Sequence, residues 1–261
     1  MGIMASETGL ADTRPARTAL PPPPQGLTRP ALFLDMDGVL APLAPRPEDV
    51  VPVARRTAVL KSLADRFDGR IAVISGRTLA EIDRITDGVM AAASGVHGLE
   101  RRLPDGTLKT AAADPAVRRV IRAFDAFAAD HAGVIVEDKG VAAGLHYRQN
   151  AALEGPATEL AHRLQAETGL TLQPGDMVLE LKTSGTSKGT ALTAFMAEPP
   201  FAGATPIMLG DDLTDEHGFA AAAALGGFGV LVGPRRETAA RYGLSGVEAV
   251  LDWLERITED A

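Results

Sequence analysis

The sequence predicts an α/β protein: a doubly wound parallel sheet with a second, smaller α/β unit inserted into it. Three observations lead there. Short apolar runs without polar alternation recur between helical stretches; from about residue 108 the rhythm changes to paired, hairpin-like runs; after about residue 183 the first rhythm resumes. Strands apolar on both faces need helices on both sides, whereas hairpins joined to helices build a layer of their own.

The elements follow in order. Ala31–Leu34 is an unbroken apolar run and the first strand. Val53–Phe67 places Val59, Leu60, Leu63 and Phe67 close to helical spacing, and Gly69 stops it. Ile71–Ile74, bounded by Gly69 and Gly76, reads as a buried strand. Thr78, with Glu81 three residues on, opens a helix with capping-box spacing, and Val89–Ala93 is a third strand. The inserted unit reads as a helix at Pro115–His131, strands at Gly133–Asp138 and Val141–Arg148 joined through Lys139 and Gly140, a helix at Gly155–Thr168, and short runs at Leu170–Gln173 and Met177–Lys182. Then come a helix at Ser187–Glu198, a strand at Thr205–Leu209, a helix at Thr214–Leu225, a strand at Phe228–Val232 and a last helix at Val247–Ile257. The expected organisation is a disordered Pro-rich leader over 1–29, a core of 30–107 and 184–261, and an inserted unit of 108–183.

Composition narrows the function. The chain has 261 residues and is 46% hydrophobic, enough for a core and a second unit. It has no cysteine, which removes disulfides, thiolate metal sites and cysteine nucleophiles. A net charge of −8 with scattered basic residues argues against nucleic acid. The leader has no sustained apolar stretch, so neither a secretory signal nor a membrane span is drawn from it, and a cytoplasmic location is expected.

Four groups of residues fall at the C-terminal ends of expected parallel strands, where such sheets place their ligands. Asp35 and Asp37 stand two apart at the end of the first strand and face one site. A carboxylate held against a phosphate can attack phosphorus, while a second acid supplies and removes protons. Ser75, Gly76 and Arg77 follow the second strand at a helix start, an arrangement suited to an anion. Lys188 sits at another helix start, where a cation opposes the macrodipole unless an anion stands nearby. Asp211, Asp212 and Asp215 follow the strand at Thr205–Leu209 and, with Asp35 and Asp37, make an oxygen-rich cage suited to Mg²⁺. Taken singly, each group reads as a turn, a cap or a solvated lysine; their conjunction in one order and strand context points to phosphoryl transfer. Other motifs fail: the P-loop spacing, a dinucleotide fingerprint, zinc spacing among the five histidines and the Gly-x-Ser-x-Gly elbow are all missing.

These segments resemble the signatures of the haloacid dehalogenase (HAD) phosphohydrolases and, over residues 30 to 258, those of the trehalose-6-phosphate phosphatases. The core signatures are Asp35-Met-Asp-Gly-Val-Leu, Ser75-Gly-Arg, Gly185-Thr-Ser-Lys-Gly and Gly210-Asp-Asp-Leu-Thr-Asp-Glu216. The narrower likeness rests on Gly95-Val-His-Gly-Leu-Glu100, Val136-Glu-Asp-Lys139, Leu145-His-Tyr-Arg148, Leu179-Glu-Leu-Lys182 and the stretch Leu225–Pro234. The resemblance implies an HAD-like core with a C2-type cap formed by the inserted unit. It implies Asp35 as nucleophile, Asp37 as general acid and base, and Ser75 and Lys188 on the phosphoryl group. Asp35, Asp37 through its carbonyl, Asp211 and Asp212 would surround Mg²⁺, with Asp212 and Asp215 orienting metal waters and Lys188. Gly76, Arg77, His97, Lys139, His146, Arg148, Glu180 and Lys182 would contact substrate. It further implies hydrolysis of trehalose 6-phosphate through an aspartyl-phosphate in trehalose biosynthesis, coupled to a trehalose-6-phosphate synthase. Another sugar phosphatase, or a non-catalytic sugar-phosphate sensor, remains open. Val39 stands where the family often has Thr, and Met36 where it often has an aromatic residue.

Overall fold

The structure, a computed structural model, describes residues 19–175 and 177–259. Its first half supplies β1 (Pro30–Leu34), α1 (Ala54–Arg66), β2 (Ile71–Ile74), α2 (Leu79–Ile85), β3 (Ala92–Gly95), β4 (Glu100–Arg102) and β5 (Leu108–Thr110). An inserted unit follows: α3 (Ala116–Asp130), β6 (Ile135–Asp138), β7 (Ala142–His146), α4 (Glu154–Thr168), β8 (Thr171–Gly175) and β9 (Val178–Lys182). The chain then returns through α5 (Lys188–Met196), β10 (Thr205–Gly210), α6 (Glu216–Ala224), β11 (Phe228–Val232), β12 (Tyr242–Leu244) and α7 (Val247–Glu259).

The large sheet has the order β12-β11-β10-β1-β2-β3-β4-β5, parallel from β12 through β3 and antiparallel over β4 and β5. Its central strands are buried on both faces, which is why their sequences show no polar alternation. Leu32 and Leu34 of β1 pack on one side with Leu60 and Leu63 of α1 and Trp253 and Leu254 of α7. Phe33 points the other way, stacked on Phe201 with ring centroids 5.5 Å apart and packed with Phe195 of α5 and Phe219 of α6. Adjacent side chains of one strand thus nucleate two separate cores.

The inserted unit has its own antiparallel sheet, β6-β7-β9-β8, with one face covered by α3 and α4. Ala143, Leu145, Leu179 and Leu181 point into that core. The intervening residues form a row across the sheet, because Glu137 pairs with Gly144, Gly144 with Glu180, and Glu180 with Gln173. The alternation in Leu179-Glu-Leu-Lys182 is therefore a core face and a polar face.

Three boundaries differ from the sequence expectation. The third strand occupies Ala92–Gly95 rather than Val89–Ala93, because Asp87 and Gly88 take positive φ and the Val89 N–H still donates to Thr86 O at 3.2 Å. Leu108–Thr110, expected in the inserted unit, pairs with β4 at the edge of the large sheet. Of the expected disordered leader, 1–18 lie outside the described residues, but the segment from 19 is docked: Leu20 packs on the second core, Gly243 N–H donates to Pro21 O at 3.0 Å, and Trp253 Nε1 donates to Pro24 O at 3.2 Å.

Candidate active site

β1 ends in Asp35, whose backbone N–H still follows the strand by donating to Leu209 O at 3.1 Å. The chain then folds into a tight loop in which Gly38 N–H donates to Ala41 O at 2.8 Å. Gly38 has φ +75°, and a Cβ there would lie 2.1 Å from Asp211 Oδ2, so only glycine lets the two acidic loops touch. Beside it, Ser75 leaves β2, and its segment is stitched to the neighbouring one: Val96 N–H donates to Arg77 O at 2.9 Å and His97 N–H to Ser75 O at 3.0 Å. His97 keeps φ +51° directly after Val96 at φ +44°, a pair of left-handed residues held by those bonds.

Lys188 is the first residue of α5, whose amino end is closed by the Ser187 capping box. It is 2% exposed, with Nζ 2.8 Å from Asp35 Oδ2 and 2.7 Å from Asp215 Oδ1. The anion that a lysine at this position requires is thus present twice. Burial opposes its charge, but Asp215 and Asp35 outweigh burial and hold its pKa well above the ordinary value.

Asp35, Asp211 and Asp215 each bring a carboxylate oxygen within 4.8 Å of the others. Burial raises all three: Asp35 well above its usual range, Asp211 to about 7 and Asp215 to about 6, with mutual repulsion adding to the effect. One lysine offsets only part of that charge, so a hard cation with oxygen ligands fits the cluster. Within the trio Asp215 is the least available, because Oδ1 accepts from Lys188 and Oδ2 from the N–H groups of Asp211 at 3.0 Å and Asp212 at 3.2 Å. Asp212, expected among the ligands, spends Oδ1 as a cap on Thr214 N–H at 2.8 Å and Asp215 N–H at 3.3 Å and stands outside the trio. Asp37 is also outside it: its carboxylate takes a bidentate pair from Arg77, Nε to Oδ2 and Nη2 to Oδ1, both at 2.7 Å.

Above these loops stands the polar face of the second sheet. Lys139 Nζ donates to Glu180 Oε2 at 2.6 Å and reaches down to Gly76 O at 2.9 Å. Burial would lower its pKa, yet Glu180 and Glu137 raise it overall. His97 Nε2 meets Gln173 Nε2 at 2.6 Å and lies 3.7 Å from Glu180 Oε1. Burial and then Lys188, Lys182 and Lys139 push the His97 pKa well down, so its ring is neutral. His97 Nδ1 and Glu180 Oε1 are buried with no hydrogen-bond partner. His146 Nε2 is 2.9 Å from Glu137 Oε2.

A cavity of about 250 Å³, of small-molecule scale, lies between the two sheets. Asp35, Asp37, Ser75, Gly76, Arg77, His97, Lys139, His146, Arg148, Glu180, Lys188, Asp211 and Asp212 all line it. Lys182 does not; its Nζ donates to Thr186 O at 3.2 Å, and burial lowers its pKa to about 8. Sequence reasoning missed Gln173, Glu137 and Glu81 in the lining, and also Arg236, which grips the carbonyls of Asp211 and Asp212. Glu137 lies inside a segment the sequence singled out, and Gln173 became visible only through its register with Glu180.

The profile of the family described as Trehalose-phosphatase matches residues 33–247. The chain is 43% identical over 230 residues to the trehalose-6-phosphate phosphatase of Escherichia coli K12, covering 87% of this chain and 86% of that one. It is 37% identical over 211 residues to a probable trehalose-phosphate phosphatase of Sinorhizobium fredii, covering 78% of each. Among solved structures, the C-terminal domain of a Candida albicans trehalose-6-phosphate phosphatase superposes with a TM-score of 0.81 at 21% identity, covering 94% of this chain and 99% of that domain. A phosphatase of the HAD superfamily from Bacteroides thetaiotaomicron superposes at 0.57 with 16% identity, over 95% of this chain and 99% of that one. At these identities the two superpositions speak for the fold.

Proposed function

The chain belongs to the trehalose-phosphatase family, and we propose that it hydrolyses trehalose 6-phosphate to trehalose and phosphate through an aspartyl-phosphate on Asp35. The observation that carries this mechanism is the buried contact of Asp35 with Lys188 at 2.8 Å, at the floor of a cavity roofed by polar side chains.

The order of events follows from the groups present. An oxygen of Asp35 attacks phosphorus, and the bond from phosphorus to the sugar oxygen breaks. Asp37 gives its proton to the departing oxygen. It then takes a proton from water, whose oxygen attacks phosphorus and returns Asp35 as a free carboxylate. Lys188 and the Ser75 hydroxyl hold the phosphoryl oxygens, and Asp215 aims Lys188. Asp35 and Asp211, with the backbone carbonyl of Asp37, would hold Mg²⁺, which when bound offsets the charge gathered around the phosphoryl group. Gly76 and Arg77 belong to the anion-facing loop. Lys139, His146, Arg148, Glu180 and the core residue His97 suit the sugar hydroxyls, which need both donors and acceptors in a desolvated pocket. The division of the chain into a core and a cap covering the cavity supports exclusion of bulk water during transfer. A trehalose-6-phosphate synthase is the activity that would supply the substrate.

Phosphate release in the presence of Mg²⁺ from trehalose 6-phosphate, sucrose 6-phosphate and glucose 6-phosphate tests the reading. Trehalose 6-phosphate is expected to be turned over best; equal or faster release from either other ester would reject the substrate.

A further inference from the structure

Arg77 lines the cavity, but its guanidinium is largely spent on partners within the protein. Four of its five N–H donors are committed within the protein: Nε and Nη2 to the two oxygens of Asp37, and Nη1 to Pro47 O at 2.9 Å and Glu81 Oε1 at 3.2 Å. The residue is 8% exposed. Its far end is anchored in turn, because Glu81 closes the capping box of α2 by accepting from Thr78 N–H at 3.0 Å and Thr78 Oγ1 at 2.9 Å. A rigid helix start therefore reaches Asp37 through one planar, bidentate contact.

Resting on the phosphatase reading above, we infer that Arg77 is a positioning residue that fixes the carboxylate of Asp37 for proton transfer, and that Glu81 fixes Arg77. Two parallel N–H···O bonds set both the place and the plane of a carboxylate, which a single bond does not. Each Asp37 oxygen keeps a second lone pair, so the proton can be carried and received without the clamp opening. A bridge to Ala41 holds the backbone of Asp37 in its tight loop, and Arg77 fixes the carboxylate at the end of the side chain.

A double-mutant cycle tests this. Arg77→Leu, Asp37→Asn and the double variant are compared on trehalose 6-phosphate and on p-nitrophenyl phosphate, with Mg²⁺ present. Arg77→Leu is expected to lower kcat roughly 10- to 100-fold with KM within about threefold, the pattern of a group acting through a general acid and base. In the Asp37→Asn background the same change is expected to cost less than about threefold, since the partner is already disabled. Arg77→Lys should recover little, because an ammonium cannot make the bidentate contact. Glu81→Gln, which leaves the Asp37 contact in place, should lower kcat a few-fold at constant KM and guards against a folding defect in Arg77→Leu. A tenfold rise in KM at unchanged kcat would make Arg77 a phosphoryl ligand and overturn the inference. Losses that multiply in the double variant would overturn it too. Turnover of p-nitrophenyl phosphate alone would reject the substrate while leaving the cycle readable, and turnover of neither ester would overturn both readings.

Discussion

Lys188 and its two carboxylates form a buried triad in which no member is stable alone. Removing one partner of such a pair typically costs about 3–5 kcal/mol, because the remaining charge is left desolvated. Lys188→Met is therefore expected to abolish phosphate release and also to lower the denaturation midpoint of the metal-free protein, as read by urea unfolding. Asp35→Asn is isosteric, removes one repelling charge and leaves Lys188 paired with Asp215, so it should abolish turnover and acyl-phosphate trapping while costing less stability than Lys188→Met; turnover by a purified Asp35→Asn sample would end the mechanism proposed here. The raised carboxylates carry a pH signature as well. A carboxyl whose folded pKa lies above its unfolded value favours the folded state at low pH and loses that contribution as pH rises through the folded pKa. With Asp215 at about 6 and Asp211 at about 7, the metal-free protein should lose stability between about pH 4 and 7 from these groups. A cation that binds the anions reverses the sign. Added Mg²⁺ should thus raise the melting temperature more at pH 7.5 than at pH 5.5, and an equal shift at both would contradict a site built on these acids.

Each acidic group is presented by an element end. β1 delivers Asp35, β10 delivers Asp211, and because these strands are adjacent and parallel in the sheet, Leu34 beside Leu209, the acids emerge side by side. The loop between them closes only because Gly38 has no Cβ. Gly38→Ala should displace Asp211, lowering the Mg²⁺-dependent melting shift and kcat together, with about 1–2 kcal/mol lost from the metal-free protein through the strained φ. The element ends that sequence located correctly carry strong local signals, such as the capping boxes at Thr78 and Ser187. Those it missed, β4, β5 and β12, are three-residue strands with no run of buried apolar residues; Leu108–Thr110 is exposed throughout. Pairing with a neighbour, not local preference, makes them strands.

For the whole molecule, the cavity exists only because the polar face of the second sheet is seated on the loops of the first. Lys139 on Gly76 O, Gln173 on His97 and the apolar cluster of Val96 and Leu99 with Val141 and Ala142 are among the contacts that join them. Gly76 and His97 both stand beside Ser75, so the seating of the second sheet is linked in space to the loop proposed to hold the phosphoryl group. Gln173→Ala should raise KM for trehalose 6-phosphate more than for p-nitrophenyl phosphate, which has no sugar to meet the second sheet; equal effects on both would place Gln173 outside sugar recognition.

Residue types and their order along the chain were enough to determine the α/β class, the inserted unit, and the membership of Asp35, Ser75, Lys188 and Asp211 in one site. Parallel strands bring their C-terminal ends to one edge whatever the sequence between them, so acids at strand ends must converge. Which oxygen of which acid is free was decided only in three dimensions. Asp212 and Asp215 are four residues apart at most from Asp211 and chemically identical, yet one caps a turn and the other supports Lys188. Arg77 likewise reads as an anion ligand until its reach to Asp37, forty positions away, is seen. Hydrogen-bond capacity is spent on whatever lies within about 3 Å, and for side chains brought together by tertiary packing that neighbour is not written next to them in the chain.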